Sequence, residues 1–186
     1  MSTQTTSNDQ ITYEKPLLGF AAYSGTGKTT LLLKLIPELK KRGMRIAVIK
    51  HAHHNFEMDT PGKDSYELRK AGAVPMLICS SIRTVITIEH DIEAEPTLQE
   101  ILKHIPANTV DMVLVEGFKK WPFNKIELHR QATGKPLMYP GDHNIIAIAH
   151  DNEQALQQTD LTQLNLNDIN SIADFVVQYS QQNKTH

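Results

Sequence analysis

The sequence predicts an α/β fold in three layers, in which a mostly parallel β-sheet is flanked by helices. Short apolar segments that suit buried strands alternate with amphipathic segments of helical period. One apolar segment, residues 17–22, runs directly into a Gly-rich turn and a helix, and another, residues 110–115, is followed directly by an acid and a glycine. Sheets of this class bind ligands beyond the carboxyl ends of their strands.

The remaining elements follow from the same patterns. The first helix is predicted over 28–42, with Pro37 as a kink or break and Gly43 as its stop. Further strands are predicted at 45–49, 74–79, 84–88 and 145–149, and further helices at 64–71, 96–104 and 167–179. A small β-hairpin extension is predicted from 126–130 and 137–139, around the turn at 133–135.

Bulk composition bounds the domain organisation and the partners. The 186 residues suit one domain, expected over 13–180 between a polar, disordered lead at 1–12 and a polar tail at 181–186. A net charge of −2 argues against a nucleic-acid partner, and the lack of an apolar run of about 18 residues argues against a membrane span. The single cysteine, Cys79, fits a reducing, cytoplasmic compartment.

The turn after the first strand has the composition of a phosphate loop. Glycines let successive backbone N–H groups point into one concavity, and the N-terminus of the following helix adds positive charge. The residues that predict this function are Ser24, Gly25, Thr26, Gly27, Lys28 and Thr29. Lys28 would bridge the β- and γ-phosphates, the Thr29 hydroxyl would ligate Mg²⁺, and Thr30 could contact the α-phosphate. Residues 22–29, called the Gly-rich loop below, therefore predict a P-loop NTPase-like fold, although Ala22 replaces the usual first glycine.

Acidic residues and a glycine at other strand ends would complete the site. Glu116 ends the strand at 110–115, where a carboxylate can hold Mg²⁺ directly or through water, and Gly117 would allow close approach to the γ-phosphate. Asp111, at the opposite end of that strand, is expected to be a solvated strand start. Asp64 is either part of a metal- and γ-phosphate-sensing segment or a cap of the helix that it begins.

The loop after the second strand is rich in histidine, with His51, His53 and His54. These side chains could contact phosphate or substrate, bind a transition metal, or simply form a polar loop. For recognition of the nucleotide base, residues 124–127 resemble the N-K-x-D base-reading motif of many GTPases. That motif should follow a strand, whereas these residues precede one, so Lys125 is expected only to begin the strand. Asp151, after the strand at 145–149, is the better candidate to accept hydrogen bonds from guanine, with a turn-forming role as the alternative.

Four segments together support a family resemblance: A-A-Y-S-G-T-G-K-T-T at 21–30, I-K-H-A-H-H at 49–54, P-G-K-D-S-Y-E-L-R-K-A-G at 61–72 and L-V-E-G-F-K at 114–119. They closely resemble the MobB family of molybdopterin-guanine dinucleotide biosynthesis adaptor proteins. The resemblance runs from about residue 17 to the C-terminal helix. It also accounts for the alanine at the first glycine position.

The resemblance implies a GTP- and Mg²⁺-binding protein with weak intrinsic GTPase activity. Such proteins assist the guanylyltransferase MobA, which attaches GMP to molybdopterin, and they are similar to other dimeric P-loop GTPases. It also implies that the His loop and the Asp64 region face the nucleotide or the molybdopterin cofactor. A homodimer is expected, with the predicted hairpin over 126–139 as the hypothetical subunit contact.

The residues leave two other functions open. A small-molecule kinase could use the same loop, although residues 116–130 contain only Arg130 and no clear arginine-bearing lid. A metal chaperone could use the His loop. Weak hydrolysis fits the lack of an obvious arginine finger near the Gly-rich loop, a group worth about 10³–10⁵ in rate. Arg69 or Arg83 of a second subunit could supply one.

Overall fold

The computed structural model describes residues 11–52, 56–90, 94–152, 156 and 159–183. The chain forms two compact units, one of Met1–His51 with Thr97–His186 and the other of Ala52–Pro96. The helices and strands, in chain order, are β1 Leu17–Ala21, α1 Lys28–Lys41, β2 Ile46–Lys50, α2 Asp64–Lys70, β3 Met76–Cys79, β4 Thr84–Thr87, α3 Leu98–Leu102, β5 Met112–Glu116, β6 Lys125–His129, β7 Ile145–His150, β8 Thr162–Asn165 and α4 Ile169–Gln182.

The first unit is built on a six-stranded sheet in the order β2-β5-β1-β6-β7-β8. Every neighbouring pair in it is parallel. Gly19 of β1 lies opposite Val115 of β5 on one side and Lys125 of β6 on the other. All strands therefore end at the same edge of the sheet, and the Gly-rich loop leaves that edge between the ends of β5 and β6.

Helices cover both faces of this sheet, which gives the three predicted layers. On one face, α1 buries Leu35 and Leu39 and α4 buries Ile172 and Val176, in one cluster with side chains of β1, β5, β6 and β7. On the other face, α3 buries side chains against Val113 and Val115 of β5. Each fully buried side chain of this size contributes about 1.5–3 kcal/mol. The apolar strands therefore fix the central sheet, on which the edge loops are mounted.

The second unit contains α2 and an antiparallel hairpin of β3 and β4. Arg69 of α2 is buried and forms ion pairs with Glu57 and Glu89. Leu77 of β3 and Ile86 of β4 form an exposed cross-strand pair, with 50% and 58% of their surface accessible. Apolar side chains therefore lie on the outside of this unit.

The predicted hairpin over 126–139 is wrong. Residues 125–129 form β6, a central strand parallel to both β1 and β7, and residues 137–139 form no strand. The Glu127 carboxylate accepts hydrogen bonds from the backbone N–H groups of Met138, at 2.7 Å, and Tyr139, at 2.9 Å. A side chain thus satisfies the backbone groups that a hairpin ladder would have paired. An antiparallel hairpin forms instead at β3–β4, from the strands predicted over 74–79 and 84–88.

Other boundaries differ in smaller ways. Pro37 lies inside a continuous α1, and α4 continues to Gln182, past the predicted end at 179. The edge strand β8 was missed because it is short and polar, with Leu164 as its buried residue. In the part of the chain that the structure describes, no helix has both the length and the apolar character needed to cross a bilayer. The single-domain limits of 13–180 remain a prediction.

Candidate functional site

The Gly-rich loop has the backbone that the sequence predicts. Gly25 and Gly27 have φ values of 83° and 95°, which lie in the left-handed region that costs other residues about 1–2 kcal/mol. Gly27 is the N-cap of α1, and among the described residues no side chain caps this helix and no acid lies in its first turn. The first N–H groups of α1 are therefore available to an anion, which the helix dipole also favours.

Lys28 and Glu116 lie together at this loop, as predicted. Their Nζ and Oε1 atoms are 3.7 Å apart, and their side chains retain only 18% and 15% exposure. Parallel pairing of β1 with β5 places Phe20 opposite Glu116, which brings the acid to the start of the loop. Thr29, the next residue of α1, is exposed. A lysine, a carboxylate and a hydroxyl thus lie at the same edge of the sheet.

Lys119 is a second lysine at the Gly-rich loop, and it was not among the predicted site residues. Its Nζ donates to the carbonyl oxygen of Ala22 at 2.9 Å. Burial lowers the pKa of Lys119, and the charge of Lys28 lowers it further. The sequence signal that could have identified Lys119 was its position two residues after Gly117 in the V-E-G-F-K segment. Lys119 therefore holds the first residue of the loop and adds positive charge near Lys28.

The turn after β5 has a tightly constrained backbone. Gly117 has a φ of 105°, and a Cβ there would lie 2.5 Å from the Cβ of His51. Phe118 also has a positive φ, 49°, and its ring lies 4.7 Å from that of His51. The His51 N–H donates to the Glu116 carbonyl at 2.8 Å. His51 thus packs on the turn that follows Glu116. This packing favours a glycine at position 117, independently of the predicted approach to phosphate.

The two loop aromatics after this turn anchor it. Phe123 is buried, and the Trp121 ring contacts Phe118 edge-on, with the ring centroids 6.3 Å apart. Both belong to or pack against the apolar cluster on the α3 face of the sheet. The turn that carries Glu116 and Lys119 is therefore fixed to the core.

The other two histidines of the predicted His loop, His53 and His54, lie outside the described residues. Within the described ranges, no group of three or more His, Cys, Asp or Glu side chains could hold a metal ion. Asp64 belongs to the second unit and is the first residue of α2, with Lys63 as the N-cap. A carboxylate in a first turn is stabilised by the helix dipole. The metal role of Asp64 stays a prediction.

On the other side of the loop, Arg130 was missed as a site residue. It directly follows β6, and its guanidinium donates from Nε to the Thr26 carbonyl at 3.0 Å and from Nη1 to Asp151 Oδ2 at 3.1 Å. Asp151 follows β7, as predicted, and its Oδ1 accepts the Gln131 N–H at 3.0 Å. The Gln131 N–H and then Arg130 lower the pKa of Asp151, which keeps its carboxylate ionised. The base-reading role of Asp151 stays a prediction.

A pocket lies beside these groups. It is lined by Gly27, Thr30 and Lys34 of the loop and α1, by Arg130, and by Leu166 and Asn167 after β8. The Gly-rich loop therefore has Lys28, Glu116 and Lys119 on its β5 side, and Arg130, Asp151 and this pocket on its β6 side.

The N-K-x-D-like segment is structural, as predicted. Lys125 begins β6 and is buried, and its Nζ donates to the Trp121 carbonyl at 2.9 Å and to Asp142 Oδ2 at 3.0 Å. Asn124 donates to the Tyr179 hydroxyl at 3.0 Å. Burial raises the pKa of Glu127, whose oxygens are occupied by backbone N–H groups. The polar atoms of these three side chains are therefore engaged within the protein and are not directed at a nucleotide base.

Comparison with known proteins identifies relatives over most of the chain. Residues 17–151 match the model of the family described as MobB, molybdopterin guanine dinucleotide synthesis protein B. The molybdopterin-guanine dinucleotide biosynthesis adapter protein of Escherichia coli K12 is 47% identical over 167 residues, which cover 89% of this chain and 94% of the relative. The protein of the same name from Haemophilus influenzae is 43% identical over 170 residues, with 91% and 89% covered.

Solved structures confirm the fold class. A crystal structure of molybdopterin-guanine biosynthesis protein B superimposes with a TM-score of 0.68 at 25% identity, covering 89% of this chain and 99% of that one. The crystal structure of Bacillus subtilis MobB gives a TM-score of 0.70 at 24% identity, with 89% and 98% covered. The P-loop-like α/β fold, the family match over 17–151 and the relatives above 40% identity agree, and the chain belongs to the MobB family of molybdopterin-guanine dinucleotide biosynthesis proteins.

Proposed function

We propose that this protein binds GTP with Mg²⁺ at the Gly-rich loop. The observation that carries the proposal is the 3.7 Å pair of Lys28 and Glu116 beside a helix N-terminus that no described side chain caps. In a phosphate loop the lysine serves the β- and γ-phosphates and the strand-end acid serves the metal. The pair thus supplies both the anion-binding and the metal-binding charge in one place.

The side chains at this edge fit Mg²⁺. The ion prefers hard oxygen ligands and usually keeps several waters, so that one or two protein ligands suffice. The exposed Thr29 hydroxyl and the Glu116 carboxylate are such ligands. Bound Mg²⁺ would neutralise phosphate charge, while Lys28 turns from Glu116 to the phosphates. Asp64 is the remaining proposed ligand.

We further propose that the nucleotide-bound protein is an adaptor for the guanylyltransferase MobA, which attaches GMP to molybdopterin. Support comes from the relatives, which carry the name of adapter proteins of molybdopterin-guanine dinucleotide biosynthesis. The test is the rate of GMP incorporation by purified MobA with molybdopterin, GTP and Mg²⁺. Wild-type protein should raise that rate and Lys28→Ala should not. An unchanged rate with wild-type protein would contradict the adaptor role.

Hydrolysis by the isolated chain is proposed to be weak. Among the described residues, Lys119 and Arg130 are further cations at the loop, and they donate to the carbonyls of Ala22 and Thr26. These hydrogen bonds engage both cations with the backbone of the loop rather than directing them at charge that develops at the γ-phosphate. An arginine from a partner could add about 10³–10⁵ in rate.

The protein is also proposed to form a homodimer. The second unit is a better candidate for the subunit contact than residues 126–139, which do not form the predicted hairpin. The exposed apolar pair Leu77 and Ile86 lies on a two-stranded hairpin, an element that is marginally stable on its own. An identical hairpin offers the same apolar face and open strand edges, which suits a two-fold contact between copies. A second copy of this chain is therefore the proposed occupant.

The remaining assignments of the site are proposals of the same kind. His51, His53 and His54 are proposed to face the nucleotide or the molybdopterin cofactor, and Asp151 to read guanine. A cytoplasmic location is proposed because Cys79 is an exposed free thiol, which a reducing compartment preserves.

A further inference from the structure

Arg130 connects two parts of the proposed nucleotide site. Its Nε donates to the Thr26 carbonyl within the Gly-rich loop, and its Nη1 donates to Asp151 after β7. A Cβ built on Gly27 would lie 3.7 Å from Nε and 4.0 Å from Nη2, so the guanidinium lies close against the loop. One planar group therefore contacts both the loop and the candidate base-reading acid.

The contact with Thr26 fixes the orientation of a loop N–H. The peptide between Thr26 and Gly27 is planar and trans, so its carbonyl and its N–H point in opposite directions. Arg130 holds the carbonyl, and the Gly27 N–H is therefore directed to the face of the loop away from the guanidinium. Thr26 is buried, with 2% exposure, which limits other positions of this peptide. Arg130 thus orients a donor of the predicted phosphate cradle.

The contact with Asp151 fixes a carboxylate in the same way. Oδ2 accepts from Arg130 and Oδ1 accepts from the neighbouring Gln131 N–H, at 3.0 Å. Both donors belong to the segment that follows β6. The orientation of the carboxylate is therefore set by the same segment that holds the Gly-rich loop.

The two contacts lie on the side of the loop toward which a nucleotide must extend. Lys28 and Glu116 mark the β5 side as the end for the γ-phosphate and metal, so the nucleoside leaves toward the β6 side. That side contains Asp151 and the pocket lined by Gly27, Thr30 and Arg130. We propose that Arg130 is a positioning residue that couples the Thr26–Gly27 peptide to Asp151, so that it sets both the affinity for the phosphates and the preference for guanine.

This inference rests on the proposed binding of GTP, and substitutions separate the two. Arg130→Ala removes both contacts. Arg130→Lys keeps a positive charge but lacks the planar fork that reaches two acceptors at once. Asp151→Asn changes the candidate base-reading carboxylate and leaves the donor of the Thr26 contact, Arg130, in place. The matched control is Arg45→Ala, because Arg45 also pairs with an aspartate, Asp111 at 2.7 Å, but at the opposite edge of the sheet.

The experiment is equilibrium binding of GTP and ATP, with Mg²⁺, to the full-length wild-type protein and these variants. Arg130→Ala should lose about 10- to 100-fold in GTP affinity, the size of a lost charge-assisted contact. Its GTP-to-ATP affinity ratio should also fall. Arg130→Lys should recover part of the affinity, and Arg45→Ala should match wild type. The double variant Arg130→Ala/Asp151→Asn should have the same ratio as Asp151→Asn alone, because both act through one carboxylate.

Three results would overturn the inference while GTP binding by the wild-type protein stands. They are unchanged affinities in Arg130→Ala, an equal loss for both nucleotides with an unchanged ratio, and a wild-type protein that binds both equally. Circular dichroism and thermal unfolding check the fold of each variant, and Arg130→Lys carries the same test if Arg130→Ala does not fold. Failure of the wild-type protein to bind GTP is a separate result, which contradicts the proposed function itself.

Discussion

The Nζ atom of Lys28 lies 3.7 Å from Oε1 of Glu116, so the two residues that the sequence selects for phosphate and metal neutralise each other at the Gly-rich loop. In the proposed mode of binding, a nucleotide with Mg²⁺ separates this pair. Lysine would move to the phosphates and the acid to the metal or its waters. The pair therefore makes the two halves of the site interdependent.

Glu116→Gln tests this relationship. The variant keeps the size of the side chain but removes the charge that attracts Mg²⁺, while it leaves Lys28 free for phosphate. We expect the weaker GTP binding that remains without Mg²⁺ to be no lower than in wild type, and the apparent Mg²⁺ affinity to fall about 10- to 100-fold, the range for loss of a group that tunes a metal site. GTP titrations at a series of Mg²⁺ concentrations measure both effects. An unaltered Mg²⁺ dependence would show that Glu116 does not serve the metal.

Gly117→Ala should destabilise the fold through its contact with His51. The new Cβ would lie 2.5 Å from the His51 Cβ at a φ of 105°, so strain and overlap together should cost about 2–4 kcal/mol. Gly134→Ala is the control, because its φ is also positive, at 61°, but no atom of the described residues lies within 4 Å of the added Cβ. It should cost about 1 kcal/mol. Urea unfolding compares the two, and equal losses would refute the packing argument.

Asp111 and Arg45 predict a pH dependence of stability. Hydrogen bonds from Arg45 lower the pKa of Asp111 from 3.8 to about 2 in the folded protein. Because the folded pKa is depressed, the stabilisation is complete above pH 4 and is lost as the pH falls toward 2. After allowance for solvent screening it should amount to about 1 kcal/mol. In Asp111→Asn, the free energy of unfolding in urea should therefore fall less between pH 4 and pH 2 than in wild type. An identical pH profile in the two proteins would contradict the attribution to Asp111.

The proposed dimer contact can be tested with charge on the exposed hairpin. Leu77→Lys places a cation on the apolar cross-strand pair with Ile86, which should weaken self-association by at least about tenfold, since a desolvated charge at an interface costs several kcal/mol. Leu33→Lys is the control, since Leu33 is 70% exposed on α1 in the other unit. Sedimentation equilibrium measures both variants. Equal association of Leu77→Lys and wild type would exclude this surface as the contact.

The sequence located the features that depend on local pattern. A strand, two glycines, a lysine and a helix in succession specify the Gly-rich loop, and an apolar run ending in an acid specifies Glu116, since neither needs knowledge of which strands are neighbours. The fold class followed from the alternation of strands and helices for the same reason.

The sequence could not locate features that depend on strand order. Arg130 reaches Thr26 only because β6 lies beside β1, and residues 126–130 were instead predicted as half of a hairpin. The same error hid the role of Glu127, whose buried carboxylate accepts hydrogen bonds from the backbone N–H groups of Met138 and Tyr139. Lys119 had a local signal, but its contact with Ala22 depends on the pairing of β1 with β5.

The most direct test of the central claim is equilibrium binding of non-hydrolysable GTP and ATP analogues to the purified protein, with and without Mg²⁺. Lys28→Ala is the test variant, and Lys41→Ala is the control, because Lys41 lies on the same helix, is 75% exposed and pairs only with Glu38 among the described residues. We expect Mg²⁺-dependent binding of GTP well ahead of ATP in wild type and Lys41→Ala, and loss of binding with a retained cooperative thermal unfolding transition in Lys28→Ala. Preference for ATP would favour a kinase, and equal triphosphate binding by Lys28→Ala and wild type would contradict the assignment of the Gly-rich loop.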